Sequence, residues 1–187
     1  MMKKIMALLL IAGICCSLFG CVGKMTPVEN FLLAVKKMDL AAMKTELTPD
    51  ETTGSFYLKL QSLRVSDAES LRVIRDLYAL VQYTMGETAA AQNGAKTVSV
   101  TLRVPDMERI RSLAEAQNLV SGDSTEKIVG DMIANGSVTK SMMKEYSFAV
   151  KITETDGVWR IPYGDKENAA FAEALALADM IDFFHLR

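Results

Sequence analysis

The sequence has little histidine and little cysteine. His185 is the single histidine among 187 residues and lies close to the end of the sequence. A general base needs a positioned partner, so we interpret a histidine at the end of a helix as solvated and expect no catalytic role for it. Cys15 and Cys16 lie in an apolar run near the start, which leaves Cys21 outside it. Transition-metal sites favour clustered histidine and cysteine ligands, so the sequence predicts neither a metal site nor a cofactor.

Charge and sequence motifs exclude further classes of protein. The net charge is -2, and the basic residues of the predicted helices are interspersed with acidic ones, which does not favour nucleic-acid binding. The motifs G-x-x-x-x-G-K-[ST], G-x-G-x-x-G and G-x-S-x-G are all missing from the sequence. The sequence therefore offers neither a phosphate-binding loop nor a nucleophile elbow.

The first 20 residues have the order of a secretory signal. Lys3 and Lys4 precede an apolar run from Ile5 to Gly20, and Gly20 is a small residue followed by Cys21. A basic region, an apolar region and a small residue at the cleavage site are typical of an exported protein. The alternative is an uncleaved anchor helix, but the run is shorter than the roughly 20 residues that span a bilayer.

Leu18-Phe19-Gly20-Cys21 resembles the lipobox of bacterial lipoproteins. The resemblance implies a diacylglyceryl group on the thiol of Cys21 and cleavage between Gly20 and Cys21. We therefore expect a signal peptide over 1–20, a short tether over 21–25 and a mature protein on the extracytoplasmic face of the cell membrane. The mature chain would contain 19 basic and 23 acidic residues, a net charge of -4. Its one cysteine could form neither an internal disulfide nor a four-cysteine zinc site.

Helix-capping patterns divide the first part of the mature chain. Thr26-Pro27-Val28-Glu29 combines an N-cap threonine, a proline at the first helical position and a glutamate three residues after the cap. This is a capping box, and it predicts a helix that begins at Pro27. Asp39, Thr48 and Ser66 are predicted caps for further helices.

From about residue 80 the periodicity changes from helix to strand. Leu80 to Ala91 is a predicted strand, and Asn93-Gly94 is a hairpin turn because both residues tolerate positive φ. Thr97 to Val104 alternates between apolar and polar residues, which indicates an antiparallel sheet with one solvated face.

In the second half of the sequence the periodicity again changes from that of helices to that of strands. A helical insertion is predicted over 105–142, and alternation returns from Tyr146 to Ile152. Asp156-Gly157 is a second predicted turn, and a final helix is expected within 166–187. The order of helices, hairpin, helical insertion, hairpin and helix predicts an α+β fold, with helices packed on a curved antiparallel sheet.

The segment Asp156-Gly157-Val158-Trp159-Arg160-Ile161, together with that order of elements, resembles the NTF2-like (cone-shaped α+β) superfamily. The resemblance implies a single domain over 26–187 whose sheet could enclose a cavity. Five aromatic residues could line it: Tyr57, Tyr78, Tyr83, Tyr146 and Trp159. The alternative is that most of them are ordinary core residues or half-exposed sheet residues.

Two functions remain open from the sequence. The first is a membrane-tethered, non-catalytic module that binds a ligand or a protein partner, neither of which the sequence identifies. The apolar residues of the last helix, which include Phe183 and Phe184, cover more of the helix surface than a single buried face. Phe183 and Phe184 are therefore candidates for a contact surface. The second is an isomerase- or dehydratase-like enzyme that uses a buried carboxylate and a tyrosine inside the cone. A buried carboxylate facing a tyrosine would favour the enzyme.

Overall fold

The computed structural model describes residues 25–53, 68–90 and 92–177. Within these ranges the chain has the predicted α+β fold, with seven α-helices and a four-stranded antiparallel sheet. The elements in chain order are α1 (Pro27–Lys37), α2 (Leu40–Glu46), a 3-10 helix (Pro49–Thr53), α3 (Ala68–Ala79), β1 (Gln82–Thr88), β2 (Ala95–Pro105), α4 (Met107–Ser121), α5 (Thr125–Ala134), α6 (Ser137–Ser141), β3 (Met143–Thr155), β4 (Val158–Arg160), a second 3-10 helix (Lys166–Asn168) and α7 (Ala169–Leu175).

The four strands follow each other in the sheet as they do in the sequence. Their order is β1-β2-β3-β4, and every neighbouring pair is antiparallel. β1 and β4 are the two edges, so the sheet is open and does not close into a barrel. Both predicted turns are confirmed: Asn93 and Gly94 have φ of 51° and 73°, and Asp156 and Gly157 have φ of 53° and 74°. Positive φ at both central residues matches the twist of the strands that such turns join.

The hydrophobic core lies between the helices and one face of the sheet. β2 points its alternate residues Val98, Val100, Leu102 and Val104 into the core, where each is at most 3% exposed. The helices α1 and α7 contact β3, and α3 contacts β2. The alternation read from the sequence therefore identified the buried face of β2.

The predicted N-terminal caps are confirmed for the first two helices. The backbone N–H of Glu29 donates to Thr26 Oγ1 over 3.2 Å, and that of Ala42 donates to Asp39 Oδ1 over 3.0 Å. Each side chain satisfies one of the backbone donors that a helix start leaves unpaired. Thr48 precedes a 3-10 helix instead of an α-helix, and Ser66 lies outside the described residues.

The helical insertion is confirmed between β2 and β3, where α4, α5 and α6 follow one another. Asp106 caps α4 by accepting from the backbone N–H of Arg109 over 3.2 Å. Gly122 ends the same helix in the left-handed conformation, at φ 69°. The short helix α6 was not predicted from the sequence.

The last predicted helix differs from the structure. Lys166–Asn168 is a 3-10 turn, and the α-helix Ala169–Leu175 ends where Ala176 adopts φ 49°. The backbone N–H of Ala176 turns back to the carbonyls of Ala172 and Glu173, which closes the helix in the manner of a left-handed C-cap. Alanine rarely occupies this conformation, so the composition did not indicate an end here. Residues 178–187, including Phe183 and Phe184, lie outside the described residues.

Candidate functional site

Tyr78 is a core residue. It is 2% exposed, and its hydroxyl donates to the backbone carbonyl of Leu175 over 2.8 Å. A buried tyrosine normally finds a partner for its hydroxyl, and here that partner fixes α7 against α3. Tyr78 is therefore part of the core in this structure. Tyr57 lies outside the described residues.

Tyr83 and Tyr146 lie on the core-facing side of the sheet, where both pair with Leu102 of β2 from opposite sides. Tyr146 is 36% exposed and stacks on Phe148, with 5.9 Å between the ring centroids. Burial, followed by the nearby carboxylate of Glu29, raises the pKa of the Tyr83 hydroxyl. A groove in the surface of the domain is lined in part by Trp159, and neither tyrosine is among its lining residues.

Trp159 lines a groove of about 650 Å³. Residues from α1, α2, β1, β2, β3, the second hairpin turn and β4 meet there, so the groove exists only in the folded chain. The lining residues are Met25, Thr26, Pro27, Asn30, Glu46, Thr88, Lys96, Ile152, Gly157, Val158 and Trp159.

A cation lies over the aromatic ring of the groove. Lys96 Nζ is 4.0 Å from the centroid of the Trp159 ring, and both side chains are half-buried. A lysine ammonium over the face of an indole is attracted by the ring quadrupole, by about 0.5–1 kcal/mol at exposed sites. The contact places a positive charge in the groove while leaving the ammonium able to bind an anion.

The groove also has an acceptor group. Glu46 Oε1 accepts from Asn30 Nδ2 over 3.4 Å, and Thr45 Oγ1, which donates to the carbonyl of Ala42 over 2.7 Å, lies 3.3 Å from the same carboxylate oxygen. These contacts orient the carboxylate, which is half-buried. The groove therefore combines one ammonium with one carboxylate.

The rim of the groove is apolar and exposed. Met25 is 41% exposed and Val158 is 47% exposed. With Ile152 and Trp159 inside, these side chains suit an amphipathic ligand that carries both an apolar part and charged groups. The sequence did not identify Met25 or Lys96 as site residues; the nearest signal was Trp159 itself, as the single tryptophan.

The buried carboxylate of the described residues lies between two helices. Glu126 is 4% exposed and accepts from Ser70 Oγ over 3.3 Å, across the contact between α5 and α3. Tyr163 is a buried tyrosine that donates to the carbonyl of Ala172 over 3.4 Å, and burial raises its pKa. It packs against Phe31 and Phe171, which makes it part of the core.

Two other kinds of feature are missing from the described ranges. No group of three or more His, Cys, Asp or Glu residues in 25–53, 68–90 and 92–177 could hold a metal ion. In the same ranges no helix has both the length and the apolar character needed to cross a bilayer.

The comparisons with known proteins identify no family. No family model matches the sequence, and no curated protein matches it significantly. Among solved structures, the chain is similar to YcdA from Bacillus subtilis, which is described as a candidate lipoprotein, with 16% identity and a TM-score of 0.36. The similarity covers 79% of this chain and 45% of YcdA, so this chain spans less than half the length of that protein.

Proposed function

We propose that this protein is a lipoprotein, anchored through a diacylglyceryl group on Cys21 at the extracytoplasmic face of the cell membrane. The Leu18-Phe19-Gly20-Cys21 sequence after a basic and apolar segment supports the anchor. The acyl chains must hold the protein there, because the mature net charge of -4 gives no attraction to anionic lipid. Two acyl chains anchor a protein stably, whereas one does so only marginally.

The anchored domain acts as a binding module, and the groove at Trp159 is its binding site. The observation that carries this proposal is the position of Met25, which lines the groove and is the fourth residue after Cys21. A module on this tether would meet ligands or protein partners that arrive at the membrane surface. The order of helices, hairpins and insertion is also in keeping with an NTF2-like relationship, which we retain as part of the proposal.

The proposed role is non-catalytic. The enzyme alternative requires a buried carboxylate that faces a tyrosine in an apolar cavity. Glu126 instead contacts Ser70 between two helices, and it does not line the groove.

Intact-mass analysis of the protein extracted from membranes tests the anchor. The expected mass lacks residues 1–20 and includes the added acyl chains. A Cys21→Ser variant should stay unprocessed, whereas Cys16→Ser, which changes a cysteine inside the predicted signal peptide, should be processed normally. If the Cys21→Ser chain is cut at the same bond, the lipoprotein proposal fails.

A further inference from the structure

We infer that the groove at Trp159 docks on a zwitterionic phospholipid of the same bilayer that holds Cys21. Its phosphate would pair with Lys96, its ammonium with Glu46, and Met25 and Val158 would lie among the headgroups. This inference rests on the lipid anchor proposed above.

The length of the tether keeps the groove close to the bilayer. Met25 is the fourth residue after Cys21 in the sequence, and a fully extended chain spans at most about 3.3–3.6 Å per residue, or about 14 Å over these four steps. Each headgroup layer is about 5–8 Å thick, from the difference between the hydrocarbon core and the whole bilayer. Met25 lines the groove, so the groove begins within about two headgroup layers of the acylated residue.

The side chains of the rim have the chemistry of a membrane interface. Tryptophan is enriched at the level of the headgroups, where one end of the indole is apolar and the other polar. Lysine can bury its methylene stem along apolar surface while its ammonium stays in the polar layer. Trp159 and Lys96 are in contact here, at 4.0 Å, and the exposed apolar groups of Met25 and Val158 flank them.

The charges of the groove specify the headgroup. Lys96 is the basic residue and Glu46 the acidic residue among those that line it. A phosphate suits a lysine ammonium as a point charge, and the amine of a zwitterionic headgroup suits the carboxylate. An anionic headgroup without an amine would leave Glu46 facing a second negative charge.

The single tryptophan makes the docking measurable in the full mature lipoprotein. The protein is reconstituted in vesicles of phosphatidylethanolamine and phosphatidylcholine, and tryptophan emission is compared between vesicles with and without bromine on the acyl chains near the glycerol. Because each variant is compared with itself, a change in the intrinsic brightness of Trp159 cancels. We expect brominated lipid to remove the larger part of the emission, and aqueous iodide to quench it little.

Three variants complete the test, each checked for its fold by circular dichroism. Lys96→Gln and Val158→Ser should restore much of the emission in brominated vesicles and make Trp159 more accessible to iodide. Lys140→Gln changes an exposed lysine of α6 that does not line the groove, and it should behave as the unchanged protein.

The outcomes separate the docking from the anchor. If the protein floats with the vesicles while Trp159 is open to iodide and insensitive to bromine, the anchor stands and the docking is overturned. If Lys96→Gln leaves the bromine effect unchanged, the pairing of Lys96 with phosphate is overturned. If vesicles of phosphatidylglycerol, whose headgroup carries a phosphate but no amine, give equal quenching, the role of Glu46 is overturned. A protein that carries no acyl mass and does not float overturns the anchor, and the docking with it.

Discussion

The side-chain amide of Asn168 forms hydrogen bonds with both the backbone N–H and the backbone C=O of Lys151, on the side of β3 where the edge strand β4 pairs. Lys151 N donates to Asn168 Oδ1 over 2.8 Å, and Asn168 Nδ2 donates to Lys151 O and Pro162 O, each over 3.0 Å. β3 pairs with β4 so that Thr153 lies opposite Arg160. If the same register continued, Lys151 would lie opposite Pro162. Proline has no N–H to give. Asn168 supplies the missing donor and ends the β3–β4 ladder without leaving a backbone group unpaired.

Asn168→Ala should therefore destabilise the fold strongly. The residue is 1% exposed, and each buried polar group left without a partner costs about 1–3 kcal/mol. Urea denaturation should show a lower midpoint with an unchanged slope. Gln117→Ala removes a side-chain amide from an exposed position of α4 and should leave the midpoint unchanged. Equal midpoints for the two variants would contradict the role given to Asn168.

The acid dependence of stability should depend in part on Asp165. The backbone N–H of Glu167 and the ammonium of Lys151, which is 2.9 Å away, lower the pKa of the Asp165 carboxyl below its usual value. A carboxyl whose pKa is lower in the folded state stabilises the fold above its unfolded pKa of about 3.9, and that contribution is lost as the pH falls through the folded pKa.

Asp165→Asn should thus be less stable than the unchanged protein at neutral pH, and the difference should shrink as the pH falls below about 4. Denaturation curves over a pH series measure this. Asp156→Asn, at an exposed turn position, serves as the matched control. A difference between Asp165→Asn and the unchanged protein that stays constant down to the acid limit would show that the ionised carboxylate contributes nothing.

Gly86→Ala should destabilise the sheet. The pairing of Met85 with Val100 and of Thr88 with Val98 leaves one extra residue in β1, which is a β-bulge. A Cβ at Gly86 would lie 2.9 Å from the Cβ of Ser99, closer than packed carbon atoms come. Forcing such an overlap costs about 1–3 kcal/mol.

The double variant Gly86→Ala with Ser99→Gly tests the cause. Removing the Cβ of Ser99 should recover part of the loss in midpoint relative to Ser99→Gly alone, and a double-mutant cycle gives the coupling. Purely additive effects would show that the contact with Ser99 is not the reason for the glycine.

Thr26→Ala should destabilise α1 and loosen the wall of the groove. Thr26 Oγ1 accepts from the backbone N–H of Glu29 and Thr26 lines the groove, so its loss costs the fold about 0.5–2 kcal/mol. Thr26→Ser keeps the hydroxyl and should be close to neutral. Thermal unfolding of the two variants checks the expectation, and similar losses for both would mean that the methyl group of Thr26 matters more than the hydroxyl.

The caps and turns were predictable because their interactions are local. Thr26 and Asp39 bond to backbone groups three residues away, and Asn93-Gly94 and Asp156-Gly157 adopt positive φ through their own short or missing side chains. The alternation in β2 predicted its buried face for a similar reason: successive side chains of a strand point to opposite sides. Patterns that involve only residues close together in the sequence can be interpreted without knowing which other parts of the chain pack against them.

Of the aromatic residues proposed from the sequence as lining a pocket, Trp159 lines the groove. The groove brings Met25 and Glu46 together with Lys96 and Trp159, and these residues come from the segment before α1, from α2, from β2 and from β4. No spacing in the sequence connects them, because their proximity depends on how α1 and α2 pack beside the sheet edge. For the same reason the sequence did not distinguish the two aromatic residues Tyr78 and Trp159. Tyr78 lies in the core, where its hydroxyl bonds to the carbonyl of Leu175, whereas Trp159 lines the groove.

Sequence alone was enough for the order of the elements, the α+β class and the expectation of an anchor at Cys21, since each of these follows from a contiguous pattern of residue types. Tertiary packing decided that the hydroxyl of Tyr78 bonds to the carbonyl of Leu175, that the amide of Asn168 lies beside Lys151 and that the ammonium of Lys96 lies over Trp159. In each case a side chain or a backbone group meets a partner that distant parts of the chain bring to it. The energy of such a contact depends on its geometry and burial, and neither exists until the chain is folded.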